Sequence, residues 1–250
     1  MIKFFRKIRQ QLLSESKISK YLIYAVGEII LVVIGILIAL QLNSWKDARN
    51  DRQLEYKILN GLLLEFENAE LELQRDTIWR YEIFKSVQYV LNIKNGMAEM
   101  PQAYDTIAAT LDIIKSYRFY TPSHPQLKNL QSSGSFDLLS SKETSKALLN
   151  YVEWWDRVSV LEQNGQKAII TNLRPYLSDH CDLSLLSAKN QIQEQELIHQ
   201  FKVMIGDPKL GSIMRLRLED LYTIRFYSEE LMNNINSCKR TIQNDVATYD

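Results

Sequence analysis

The chain has 250 residues, 30 basic and 30 acidic side chains and a formal net charge of zero. No basic excess marks a nucleic-acid partner, and the pattern predicts none. Glycine and proline number only 8 and 5, and helical periodicity runs through a background rich in Leu, Ile, Glu, Lys, Gln and Asn, which predicts an all-α fold rather than a sheet.

Residues 1–20 set Lys3, Arg6, Lys7, Arg9, Lys17 and Lys20 against one acid, Glu15. Ile2, Phe5, Ile8, Leu12 and Leu13 recur at helical spacing among them, as in a basic amphipathic segment on an anionic cytoplasmic leaflet. A plain topogenic flank is an equally compatible reading.

Residues 21–44 are the expected transmembrane helix. Tyr21–Leu42 reads YLIYAVGEIILVVIGILIALQL, with Glu28 as its one ionisable carboxylate or amine. At about 1.5 Å per residue the run spans roughly 30 Å, the thickness of a bilayer's hydrocarbon core. It is too long for a signal-peptide core, and Ala39-Leu40-Gln41-Leu42-Asn43 lacks a small-x-small cleavage pattern. Upstream basic residues outweigh Lys46, Arg49 and Arg52, which Asp47 and Asp51 dilute. That asymmetry predicts a cytoplasmic N-terminus and an exported body. Tyr21, Tyr24 and Trp45 sit where interfacial aromatics are expected. Glu28 lies about 10 Å into the hydrocarbon, where a carboxylate is costly; it is either tolerated or contacts a partner helix. Gly35 and Ala39 share a face at the spacing of small-residue helix contacts. Besides the lipid bilayer, a membrane or envelope protein or a second copy of the chain is the expected partner.

Residues 45–250 form the expected helical domain. With six basic and two acidic residues in the first 45, it holds 24 basic and 28 acidic, a net of −4. A long helix is expected to about Lys94, with Leu59, Leu63, Phe66, Leu73, Phe84, Val87 and Leu91 in a broad stripe. Glu70, Thr77 and Arg80 interrupt it, and Asn95-Gly96 supplies a left-handed stop. A short helix from Thr106 to Tyr117 follows, with Asp105 as N-cap. Arg118–Pro125 reads as an aromatic, proline-rich loop. A further short helix ends at Ser132-Ser133-Gly134. Ser140 and Glu143 match a capping box opening a helix to about Asn172. Residues 174–190 read as loop, 191–205 as helix, and a last long helix follows Gly206-Asp207-Pro208 to about Asp245. The first and last long helices are expected to pair antiparallel in a bundle.

Three stretches together resemble a known family: the anchor, with Tyr24-Ala25-Val26-Gly27-Glu28 and Val33–Leu40; LNGLLLEFEN at 59–68; and Pro125 before LKNLQSSGSFDLL. They are similar to a domain-of-unknown-function family of bacterial single-pass membrane proteins with a GEIxLVVIGILIAL-type anchor. The resemblance implies a cytoplasmic-membrane tether and a helical periplasmic body. It implies no activity, cofactor or catalytic residue.

The sequence holds no HExxH, no paired CxxC and no Gly-rich phosphate loop. His180, Cys181 and Asp182 are adjacent, but neighbouring residues point in different directions and no second ligand cluster supports a metal there. Cys181 with His199 has nothing to fix a nucleophile pair. Ser133-Gly134-Ser135 fits a helix stop rather than a nucleophile elbow. Tyr117, Phe119, Tyr120 and His124 either pack beneath their loop or form an aromatic binding surface; packing is favoured. Of Trp154 and Trp155, one should face the core and the other a contact surface. An oxidising compartment would permit a Cys181–Cys238 disulfide if the two meet. No catalytic residue, cofactor site or metal site is expected. The leading expectation is a membrane-anchored scaffold or adaptor of the cell envelope. The alternatives are a sensory or ligand-binding module signalling through a partner, and a hydrolase or metal enzyme built on His180–Asp182.

Overall fold

The computed structural model describes the backbone of residues 18–249 and the side chains of residues 25–249. Of the basic segment, residues 1–20, all but the backbone of 18–20 lies outside the described residues. The chain divides into two compact units, Met1–Glu55 and Tyr56–Asp250. Every regular element among the described residues is helical, so the fold is all-α.

Helix α1, Ile18–Lys94, contributes to both units. Within the first unit it is long and apolar enough to cross a membrane: its most apolar 18-residue window has a mean hydropathy of 2.6 and none of that window is buried. The second unit is a bundle. It takes the C-terminal part of α1, then α2 (Tyr104–Ile114), α3 (Pro125–Ser133) and a 3-10 turn (Ser135–Leu138). Helix α4 (Lys142–Ala168) runs through a π-helical turn (Ile169–Leu173) into α5 (Arg174–His180), and a second 3-10 turn (Leu183–Ser187) leads to α6 (Gln191–Gly206) and α7 (Pro208–Val246).

Local chemistry sets most of these boundaries. Helix α1 stops just before Gly96, whose φ of 71° suits a residue without a Cβ, and the Met97 amide returns to Asn92 O at 2.8 Å. Lys94 Nζ donates to Ile205 O at 2.9 Å and Asp207 O at 2.8 Å, satisfying carbonyls where α6 gives way to α7. Gly211 makes that reach possible, since a Cβ there would sit 2.5 Å from Lys94 Cε. Gly134, at φ 65°, closes α3 as expected. Asn190 and Asp207 cap α6 and α7 through the amides of Gln193 and Lys209.

Three expectations need correction, and the disulfide left open is absent. Helix α2 begins at Tyr104 behind Ala103, with no side-chain cap, so Asp105 lies inside its first turn. Helix α4 is capped by Ser141, which accepts from Thr144 N at 3.2 Å; the Ser140–Glu143 box is one residue out of register. Residues 174–190 are mainly helical rather than a loop. Pro175 has no N–H to complete an i→i−4 ladder, and the π turn before it widens the ladder so that the helix passes the missing donor. The cysteines are free and buried, with no disulfide between them.

Within the bundle α1 and α7 run antiparallel. Glu70 pairs with Lys239, Arg80 with Ser228, and Phe84 packs against Tyr222 at 5.1 Å. The interior holds two apolar clusters. One joins Leu59, Phe66 and Leu73 of α1 to Leu148, Tyr151 and Val158 of α4 and Leu231, Ile235 and Cys238 of α7. The other joins Ile83, Val87 and Val90 to Leu111, Leu173, Leu177, Cys181, Phe201 and Met214. Each cysteine belongs to a different cluster, which is why they do not meet.

Candidate functional site

Three helices change from one cluster to the other at the same level, and each carries a polar side chain there. On α1 the core register passes from Leu73 through Asp76 and Arg80 to Ile83. On α4 it passes from Val158 through Glu162 to Ile169, and on α7 from Leu231 through Ser228 to Leu221. Arg80 is the hub. Its guanidinium donates to Glu162 Oε1 and, at 2.9 Å, to Ser228 Oγ, and lies 3.9 Å from Asp76 Oδ2. Arg118, from the loop after α2, bonds Asp76 Oδ1 at 2.8 Å. The Tyr120 amide donates to both Glu162 oxygens at 3.2 Å. Two cations and two carboxylates thus form a formally neutral layer between two apolar cores.

Desolvation dominates this layer. Burial pushes the Glu162 carboxyl up to about 7, against the pull of Arg80 and the Tyr120 amide. Asp76 is also raised by burial, although Arg80 and Arg118 oppose it. Its Oδ2 has no hydrogen-bond partner. Tyr117 packs against the layer through Gly165, where a Cβ would sit 2.9 Å from the phenol oxygen. That hydroxyl is buried without a partner.

A second polar chain threads the cluster around Phe66. Glu65 of α1 accepts from the amides of Gln126 at 2.5 Å and Leu127 at 3.3 Å, capping α3 from a neighbouring helix. The same carboxylate lies 3.6 Å from His124 Nδ1, His124 Nε2 is 2.6 Å from the Tyr151 hydroxyl, and that hydroxyl is 3.2 Å from the one on Tyr120. Phe66, Tyr151 and Trp155 surround the imidazole at 5.1–5.3 Å. Carboxylate, imidazole and hydroxyl stand in the order of a nucleophile relay. Tyr151 is 0% exposed and burial raises its pKa, so the chain clamps α3 and α4 to α1 rather than presenting a nucleophile to solvent. The stretches 59–68 and 125–139, singled out by resemblance, are therefore in contact through Glu65.

The residues flagged from sequence separate. His180 Nδ1 bonds Tyr176 O at 2.9 Å and its ring stacks on Tyr176 at 4.2 Å. Cys181 turns into the core, where burial raises its thiol pKa. Asp182 accepts from Ser184 N at 2.9 Å, and His199 is exposed on α6. Among the described residues no group of three or more His, Cys, Asp or Glu is placed to hold a metal ion. Tyr120 and His124 are buried and Tyr117 and Phe119 half-buried, so the aromatic loop is packed inward. Both tryptophans are half-buried: Trp155 borders His124 and Trp154 packs on Tyr227 at 5.7 Å. In the first unit Glu28 is half-buried, Gly35 and Ala39 are exposed, and a Cβ on Gly35 would meet no atom within 4 Å.

Compared with protein-family models, with curated proteins and with solved structures, the chain finds no match.

Sequence reading missed Glu65, Asp76, Glu162 and Ser228 as a group. The signal was there in the register. Along α7 the buried positions 210, 214, 217, 221, 224, 228, 231 and 235 keep an unbroken three- and four-residue spacing, and two of them are polar. A polar residue that keeps the apolar period is a buried one.

Proposed function

We propose that the chain is a single-pass, membrane-anchored helical scaffold or adaptor of the bacterial envelope, with a cytoplasmic N-terminus and a periplasmic bundle, related to the family its anchor resembles. The observation that carries this is the uncovered apolar stretch of α1, on the helix that also forms a wall of the bundle. Lipid is the natural cover for such a surface. The buried charges of the bundle support the same reading, because each already holds one helix or loop to another. Glu28, Gly35 and Ala39 are the residues proposed to meet a partner helix or a second copy within the membrane.

Substituted-cysteine labelling beyond Trp45 in intact cells tests the topology. Labelling from outside the inner membrane is expected; labelling only after permeabilisation overturns it. Photo-crosslinking from position 35 tests the scaffold. A discrete crosslinked product that weakens in Glu28→Gln supports it, and lipid adducts alone refute it.

A further inference from the structure

Arg217 is a buried cation of α7 that the polar layer does not use. It is 5% exposed. Its Nη2 donates to Ser116 O at 2.8 Å, its guanidinium lies 5.7 Å from the Tyr117 ring centre, and its Nε has no partner. None of the ion pairs within 4.0 Å among the described residues includes it. Burial pulls its pKa down to about 10, against the opposing pull of Tyr117 and Asp220.

The same residue lines an open cleft of about 340 Å3 between the π turn and α7, within the size range of small-molecule sites. Ile169, Leu173, Ile213 and Leu216 make its walls largely apolar. The π turn is one of those walls, and interruptions of this kind recur where a helix has a role beyond packing. Lys209 also lines the cleft, but it is eight residues from Arg217, about 12 Å along the helix, so the two cannot clasp one head group. Asp179 and Asp220 are the acids of the lining, beside the neutral polar Thr171, Asn172 and Ser212. Two cations against two acids make the charged lining formally neutral, so each added negative charge leaves it in deficit, and a dianion is disfavoured more than a monoanion.

We propose that this cleft binds an amphipathic monocarboxylate, its carboxylate against the Arg217 guanidinium and its apolar body along Ile169, Leu173, Ile213 and Leu216. A guanidinium fork matches a carboxylate in shape and charge, and the anion would add to the hydrogen bond to Ser116 O that the fold gives Arg217. The site adds a binding activity to the tether and does not depend on which side of the membrane the bundle occupies.

The test uses the full chain in phosphatidylcholine nanodiscs, with octanoate as probe and empty discs as baseline, read by titration calorimetry. One saturable octanoate site is expected, with octan-1-ol and inorganic phosphate at least tenfold weaker. Arg217→Met should weaken octanoate at least tenfold. Ser212→Trp, at an exposed position of the wall, should block it while leaving the circular dichroism spectrum unchanged, and it decides the matter if Arg217→Met does not fold. No saturable binding above empty discs, equal binding of octan-1-ol, tighter binding of phosphate, or octanoate binding that survives Ser212→Trp overturns the proposal.

Discussion

Removing Arg80 is the sharpest perturbation of the bundle. In Arg80→Met the volume is nearly kept, but Glu162, 1% exposed, retains only the Tyr120 amide, and Ser228 Oγ loses its donor. Breaking one side of a buried pair costs about 3–5 kcal/mol, because an uncompensated charge remains. For a domain of this size that corresponds to a fall in Tm of about 6–20 °C. The loss has a pH signature. Without Arg80 the Glu162 carboxyl rises further above its unfolded value, so the penalty is relieved where the carboxyl is protonated and is fullest at alkaline pH. The deficit of Arg80→Met should therefore be smaller at pH 5 than at pH 8. Adding Glu162→Gln removes the stranded charge and keeps an acceptor for the Tyr120 amide, so the double variant should recover at least half the loss. Thermal unfolding of the full chain in detergent micelles, followed at 222 nm, measures all three. A single-variant shift below about 2 °C, or a double variant no better than the single, refutes the polar layer as described.

In the unsubstituted chain Glu162 holds its proton more tightly folded than unfolded, since its pKa stands at about 7 against 4.5. That contribution is complete below pH 4.5 and lost as pH rises through 7, and Asp76 acts in the same direction. Tm should fall between pH 5 and pH 8, and Glu162→Gln should flatten the slope; an unchanged slope counts against the assignment. Gly165→Ala should lose about 1–3 kcal/mol to the clash with Tyr117, despite alanine's better helix propensity. Tyr117→Phe removes a hydroxyl without a partner, so denaturant melts should show it neutral or stabilising. Glu65→Ala strips α3 of its acceptor, and hydrogen exchange should speed first at the amides of Gln126 and Leu127.

The fold was largely legible because its elements obey local rules. Apolar spacing located α1, α6 and α7, and Gly96 and Gly134 marked the stops of α1 and α3 through backbone conformations that other residues rarely adopt. Helix α2 begins without a side-chain cap, and α3 takes its cap from Glu65 on another helix, so neither start carries a local signal. Pro175 looked like a helix breaker because a sequence shows the missing N–H but not the π turn that accommodates it. The polar layer was the least legible part. Arg80 was visible as an interruption of the stripe on α1, but its partner Glu162 lies 82 residues away and nothing local joins them.

That layer also bears on how the bundle works. A one-turn slide of α7 along α1 would carry Ser228 away from Arg80 and Lys239 away from Glu70, and set apolar side chains against the buried guanidinium. The cost of an unpaired buried charge, several kcal/mol, exceeds what shifting apolar contacts along a helix costs, since those contacts are replaced by others of the same kind. The two apolar cores alone would tolerate several registers; the polar layer selects one, as a single polar position does in a coiled coil. A transmitter that worked by sliding α7 would have to break the Arg80 contacts at every stroke. A scaffold needs the opposite, a bundle that holds its surface in one arrangement. An Arg80→Met/Glu162→Gln chain lacks the restraint, so crosslinks between cysteines at positions 70 and 239 should scatter into neighbouring registers. A single unaltered register in that chain would place the restraint in the apolar packing instead.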